Sequence, residues 1–210
     1  VLSEFVFLFF VKGGMESGII GGKVAELHSR PCMASIQINK HHTCGGMLLR
    51  EDYVLTAAHY HFEVVLGAHN ITKKEKSTFT FICNSILCTL FALFKLLCYL
   101  QLKNKAKLSK FVKVMPLFKK NGKTPANVHC SIAGSVYFNS ERMICSVSDG
   151  KHAFCMGDSG SPLICNTKPQ GIASYTFNGN CTNKSYPQVY VKISYFLPWI
   201  KKKMKMNELK

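Results

Sequence analysis

Two side chains in this sequence could act as a nucleophile and its base. Ser159 sits in the hexapeptide GDSGSP (157–162), and His59 closes TAAH (56–59). A serine hydroxyl is a weak nucleophile and needs a base beside it to take its proton. A neutral imidazole suits that task, because its pKa lies near the working pH. Acyl transfer builds negative charge on a carbonyl oxygen, and a tight Gly-containing turn can aim backbone N–H groups at it. Each motif alone has a plain structural reading: a histidine buried in a core, a Gly-rich turn at the surface. Their joint occurrence with IIGG (19–22) makes the structural reading of all three a poor one. Ten cysteines occur without any Cys-x-x-Cys pair, so no structural zinc site is expected, and no cofactor is called for.

The elements that must position these groups read as short strands. With 210 residues the chain can form one fair-sized domain or two packed halves. Apolar residues make up 47% and charged residues 18%, which excludes a disordered chain. MASIQIN (33–39) alternates apolar and polar, as a half-buried strand does; CGGMLL, YVLTAA and VVLGAHN are further β-type runs. Residues 81–102 are almost wholly apolar, with Lys95 the single charge. That length would suit a membrane-spanning helix, but a central lysine is costly there. Residues 103–125 form a basic run and a loop, residues 127–193 return to short strands, and a helix is expected to start near Pro198. The opening VLSEFVFLFFVKGG reads either as a signal or propeptide remnant, residues 1–18, or as an ordinary apolar strand end.

IIGG, Cys44-Gly45-Gly46, TAAH, GDSGSP and the ending PQVYVKISYFLPWI, in that order, resemble the trypsin/chymotrypsin family of serine proteases. HSRPCMASIQ, VVLGAHN and KAKLSKFVKVMPL are most similar to granzymes and mast-cell granule proteases. The resemblance covers residues 19–80 and 101–203 with gaps. It implies an all-β fold of two packed antiparallel β-barrels with a short C-terminal helix, a protease domain over 19–203 and a basic tail over 204–210. It implies His59 as general base, Ser159 as nucleophile, and an oxyanion hole from the N–H groups of Gly157 and Ser159. It also implies an activation pair, in which cleavage before Ile19 frees an ammonium for the buried Asp158. The residue before that cut is Gly18, so a trypsin-like activator is not expected.

The pattern breaks in two places. A buried acid should orient the histidine, and the match puts it at or near Leu96, yet nothing acidic lies between Glu75 and Glu141. Residues 82–99 resemble nothing in the family, and CSIAG at 130–134 passes directly to Ser135, where a longer segment is expected. Both jumps read as exon-boundary discontinuities, which predicts an incomplete first barrel and inter-barrel segment. The family match pairs Cys130 with Cys165 and Cys155 with Cys181. It leaves Cys44, whose partner position is Tyr60, and Cys145 unpaired, and gives Cys32, Cys83, Cys88 and Cys98 no role.

The match puts Ala153 at the base of the primary pocket, which disfavours cleavage after Lys or Arg. It puts Ser174, Tyr175 and Thr176 on the strand that pairs with substrate, and Gln188 on the pocket's far wall. Protein or peptide is the expected substrate, and a monomer is expected. Ten cysteines and the sequons Asn70-Ile-Thr72, Asn180-Cys-Thr182 and Asn183-Lys-Ser185 point to a secreted or granule-stored protein. A net charge of +16 favours acidic partners. In that compartment a heparin-like glycan, held by Lys103, Lys105, Lys107, Lys110, Lys113 and Lys201–Lys203, is favoured over nucleic acid or membrane, and a solvated charged surface is an equal reading of the same lysines.

Overall fold

The computed structural model describes residues 19–57, 63–91, 94–117, 138–165, 167–176 and 180–205 of the chain. His59, Cys130 and the junction at 134–135 lie outside the described residues. Six strands come first: β1 (Met33–Ile38), β2 (His41–Arg50), β3 (Tyr53–Thr56), β4 (Glu63–Leu66), β5 (Phe79–Phe91) and β6 (Phe94–Leu102). They close into an antiparallel barrel in the order β1-β2-β3-β6-β5-β4, with β4 pairing back onto β1. The second half supplies β7 (Met143–Ser146), β8 (Pro162–Cys165), β9 (Lys168–Tyr175) and β10 (Gln188–Lys192), followed by α1 (Ile193–Lys205). Among the described residues these strands form an open sheet, β7-β10-β9-β8, rather than a second closed barrel.

Strand alternation explains why β2, β3 and β6 are apolar on both faces. Ala34, Ile36, Leu48, Val54, Val64, Leu66, Leu100 and Leu102 point inward and fill the barrel. Their neighbours Met47, Leu49, Tyr53, Leu55, Leu97 and Tyr99 point outward into a second cluster. There they meet Met143, Ile172, Val189 and Val191 of the sheet and Ile193, Phe196, Leu197 and Ile200 of α1. The barrel wall therefore doubles as the interface between the halves. Arg50 fastens the helix to this wall: its guanidinium donates to both carboxylate oxygens of Asp52 (2.6 and 3.0 Å) and to the Met204 carbonyl (2.6 Å). The hairpin joining β1 to β2 turns through Asn39 and Lys40, both with positive φ (50° and 66°), the twist that suits a two-residue connection.

Two expectations are corrected. The barrel is closed, not incomplete, because residues 82–99 supply most of β5 and β6. The apolar segment pairs as a hairpin, Ile86 with Leu100 and Leu87 with Tyr99, and no described helix is long and apolar enough to cross a membrane. The C-terminal helix begins at Ile193, not near Pro198. It accommodates Pro198 within its second turn and runs into the segment expected as a tail.

Candidate active site

Ser159 lies on a tight turn between Cys155 and β8. Asp158 N donates to the Cys155 carbonyl (3.1 Å) and Ser161 N to the Asp158 carbonyl (3.0 Å). Gly157 and Gly160 take φ of 91° and 90°, which side chains rarely adopt. At Gly160 a Cβ would also strike the Gly45 carbonyl and Thr56 Oγ1. The turn is gripped from both halves of the molecule. Gly45 N donates to the Ser159 carbonyl (2.9 Å), and Thr56 Oγ1 donates to the Gly45 carbonyl (2.7 Å). From β9, the Ala173 carbonyl accepts from Gly160 N (2.7 Å), and the Ser174 carbonyl accepts from Ser159 Oγ (3.3 Å). The N–H groups of Gly157 and Ser159 make no hydrogen bond among the described residues. Unpaired N–H groups beside a nucleophile are what an oxyanion needs.

His42 is a positioning residue that the sequence reading did not single out. Its Nε2 lies 2.9 Å from the Gly157 carbonyl and its Nδ1 2.8 Å from Ser35 Oγ. A carbonyl only accepts, so Nε2 carries the proton, and Nδ1 accepts from the serine hydroxyl. Burial lowers the imidazole's pKa, outweighing the bond to Gly157 that raises it, which favours the neutral ring. This ring fixes the peptide between Gly157 and Asp158. Nothing in HHTCGG distinguishes it from a core histidine; only the register of β2 against the turn does.

Asp158 is 3% exposed and accepts a hydrogen bond from Cys155 N (2.9 Å). Burial pushes its carboxyl up to about 6, against the lowering effect of that bond. No cation faces it among the described residues. Ile19 N is in peptide linkage to Gly18 in this chain, and the neighbouring Ile20 forms a two-way backbone bridge with Ala153 (2.8 and 3.1 Å).

Ala153 is itself buried, as is Phe154. Gln188 is 4% exposed; its Oε1 accepts from Phe154 N (3.2 Å), and its Nε2 approaches the Cys181 and His152 carbonyls (3.5 Å each). Tyr175 is exposed at the end of β9, and Thr176 follows with a buried Oγ1 that has no hydrogen-bond partner among the described residues. The structure thus gathers Ser159, Gly157, Asp158, Ser174 and the Ala153–Gln188 group around one turn. Leu96 stands in β6 two residues before Cys98, the partner of Thr56 at the end of β3, from which the chain goes on to His59.

Cys155 is bonded to Cys181, which ties the turn to the segment before β10. The expected Cys130–Cys165 bond is corrected: Cys165, at the end of β8, is a free thiol. Cys145, expected to be unpaired, is disulfide-bonded. Cys88 and Cys98, expected to have no partner, are joined, because the β5–β6 register sets them directly opposite each other. Cys32, Cys44 and Cys83 are free.

The model of the family described as Trypsin matches residues 19–140 and 134–200. Rat granzyme B (Rattus norvegicus) is 35% identical, over 90% of this chain and 92% of its own length. That alignment runs over 243 residues, more than the 210 here, so the relative carries segments without a counterpart in this chain. Mouse cathepsin G (Mus musculus) is 33% identical over 94% of this chain and 90% of its own length. Human granzyme H (Homo sapiens) is 33% identical over 95% of this chain and 96% of its own length. With its closed barrel, its second sheet and these matches over nearly all of its described length, the chain belongs to the trypsin family of serine peptidases, in the company of the granzymes.

Proposed function

We propose that this protein is a secreted or granule-stored serine endopeptidase whose triad lacks its acid in this chain. The observation that carries the reading is the Ser159 turn. Its hydroxyl is tethered to Ser174, and the Gly157 and Ser159 N–H groups are unpaired among the described residues. On this reading Ser159 attacks the scissile carbonyl, His59 takes its proton and returns it to the leaving amine, and the turn's N–H groups stabilise the oxyanion. Cleavage before Ile19 would free an ammonium to neutralise Asp158, whose buried carboxylate is unfavourable without a cation. An alanine at position 153 offers nothing to a basic side chain, and the family match assigns Gln188 and Thr176 to the pocket's wall and mouth, which supports non-tryptic specificity.

Removing the triad acid lowers turnover about 10⁴-fold in the well-studied serine proteases. The test is Leu96→Asp in chain cleaved before Ile19, with a fluorophosphonate probe and a panel of peptide esters. Labelling confined to Ser159 and a rise of up to about 10⁴-fold in kcat are expected. Labelling and turnover no better than in Ser159→Ala would overturn the reading.

A second reading is favoured by one observation: Lys103, Lys105, Lys107, Lys110 and Lys113 are all exposed on the segment that follows β6. A catalytically impaired member of the family could use that face to hold a polyanionic glycan. Elution from immobilised heparin well above physiological salt supports it; elution at or below that salt removes it.

A further inference from the structure

We propose that Asn70 is the asparagine that carries an N-linked glycan, and that the Cys155–Cys181 disulfide keeps Asn180 and Asn183 bare. The inference rests on the secretory reading above and assigns a modification site within it.

The three sequons share one local turn and differ in what holds it: Asn180, which is exposed, also accepts through Oδ1 from Thr182 N (3.2 Å) and Thr182 Oγ1 (3.0 Å), and Asn183 accepts through Oδ1 from Ser185 N (2.9 Å). Asn70 lies in the loop between β4 and β5, whose shape is held by groups that a glycan would not disturb. Glu75 accepts from His69 N (2.8 Å) and Asn70 N (2.9 Å) through its two carboxylate oxygens. Asn70 Oδ1 accepts from Thr72 N (2.9 Å) and Thr72 Oγ1 (2.7 Å). The Nδ2 of Asn70 makes no hydrogen bond among the described residues, and Thr72, Lys73 and Lys74 are exposed beside it. The reacting nitrogen is free, as it is at Asn180 and Asn183 among the described residues; what sets Asn70 apart is that the nearby chain contains no cysteine.

Asn180 and Asn183 share a short double turn bound to the candidate active site. The middle residue of the first sequon, Cys181, is 8% exposed and bonded to Cys155, one residue before Met156-Gly157. Asn183 N donates to the Asn180 carbonyl (3.1 Å) and Tyr186 N to the Asn183 carbonyl (3.2 Å). Ser148 Oγ donates to the Thr182 carbonyl (2.9 Å), and Gln188 Nε2 approaches that of Cys181. A transferase must draw its acceptor out as an extended segment, and closing this disulfide withdraws both sequons from it. The consequence is functional: a bulky glycan is kept off the segment that packs against Gln188 and the Ser159 turn.

The step balances as a group transfer from a polyprenyl-diphosphate oligosaccharide. Asn70 Nδ2 attacks the anomeric carbon and an N–C bond forms. The C–O bond to the diphosphate breaks, its electron pair leaves with the diphosphate, and one amide proton passes to a base of the transferase.

The test expresses the full chain behind a heterologous signal peptide in mammalian cells, reading cell-associated and exported material separately. Peptide N-glycosidase in ¹⁸O-water marks each occupied asparagine as labelled aspartate. Label at position 70 alone is expected, lost in Asn70→Gln and Thr72→Ala and kept in Thr72→Ser. Cys155→Ser, which leaves all three sequons intact, should gain label at Asn180 or Asn183. A bare chain, or label at 180 or 183 in the unaltered protein, overturns the assignment; Cys155→Ser without new label overturns the role of the disulfide. A chain labelled at 70 but never exported supports the site and counts against the secretory reading instead. Transfer at Asn70 occurs in the lumen whether or not the product folds, so a folding defect does not blur the reading at that site; for the disulfide arm, Gly160→Ala, which disturbs the turn and leaves Cys155–Cys181 in place, should gain no label at Asn180 or Asn183.

Discussion

Replacing Asp158 with asparagine should change the pH dependence of stability in a direction fixed by burial. The carboxyl is 3% exposed, and burial raises its pKa from 3.8 to about 6. A folded state that holds a proton more tightly than the unfolded chain is favoured by that proton. The contribution is fully present below pH ~4, the ordinary carboxyl value, and is lost as pH rises through about 6. Roughly two pKa units at about 1.4 kcal/mol each give about 3 kcal/mol at neutral pH. The introduced amide keeps an oxygen acceptor for Cys155 N and cannot ionise. Urea unfolding of uncleaved wild type and Asp158→Asn should therefore give similar free energies near pH 4, with the variant ahead by up to about 3 kcal/mol above pH ~6.5. Other carboxylates, such as Glu75 and Asp149, cancel in the difference. Parallel curves across the whole range would refute the claim that Asp158 is buried without a cation. In chain cleaved before Ile19 the sign should reverse, because a buried carboxylate paired with an ammonium costs about 3–5 kcal/mol to break.

Two further outcomes follow from the geometry. Gly160→Ala adds a Cβ against Gly45 O and Thr56 Oγ1 at a φ of 90°, so it should cost more than about 2 kcal/mol in denaturant unfolding and lower Ser159 labelling together; a stability within roughly 0.5 kcal/mol of wild type would contradict it. Non-reducing peptide mapping after alkylation of the folded protein should recover Cys88–Cys98 and Cys155–Cys181 as linked peptides and Cys165 as an alkylated one; a linked Cys165 would restore the pairing that the family match implies.

The strands of the first half were legible because their alternation is simple where one face meets solvent, as in MASIQIN. It is lost where both faces are buried. Met47-Leu48-Leu49 reads as a bare apolar run because Leu48 fills the barrel while its neighbours pack toward the sheet and α1. Residues 81–102 were hardest for the same reason. Leu97 and Tyr99 face the second half, Leu100 and Leu102 face the barrel interior, and no polar period survives to separate strand from helix. What distinguishes them is pairing with β3 and β4, a long-range property. The cysteines failed likewise: Cys88 and Cys98 were paired by register, not by spacing. The turn that carries Ser159 was readable because its glycines are local requirements. His42 was not, since its role depends on a contact 115 residues away in the chain.

On the proposed reading, the acid missing from the triad and the turn that carries Ser159 belong to separable parts of the machine. Ser159 is positioned by Gly45, Thr56 and His42 from the barrel and by Ala173 and Ser174 from the sheet, and none of these contacts passes through β6 residue 96. An acid at that position acts on the imidazole, holding its tautomer and offsetting its charge after proton transfer. Losing it should therefore leave the serine aligned and the oxyanion donors in place while disabling the base. The two effects have different signatures. A misaligned turn would remove labelling of Ser159 by every electrophile. A disabled base should slow turnover while sparing slow, base-independent acylation, and it should respond to Leu96→Asp alone. Rescue by that single substitution requires that packing around Ser159 did not decay with the acid, and the contacts gripping the turn from both halves are the physical reason to expect it.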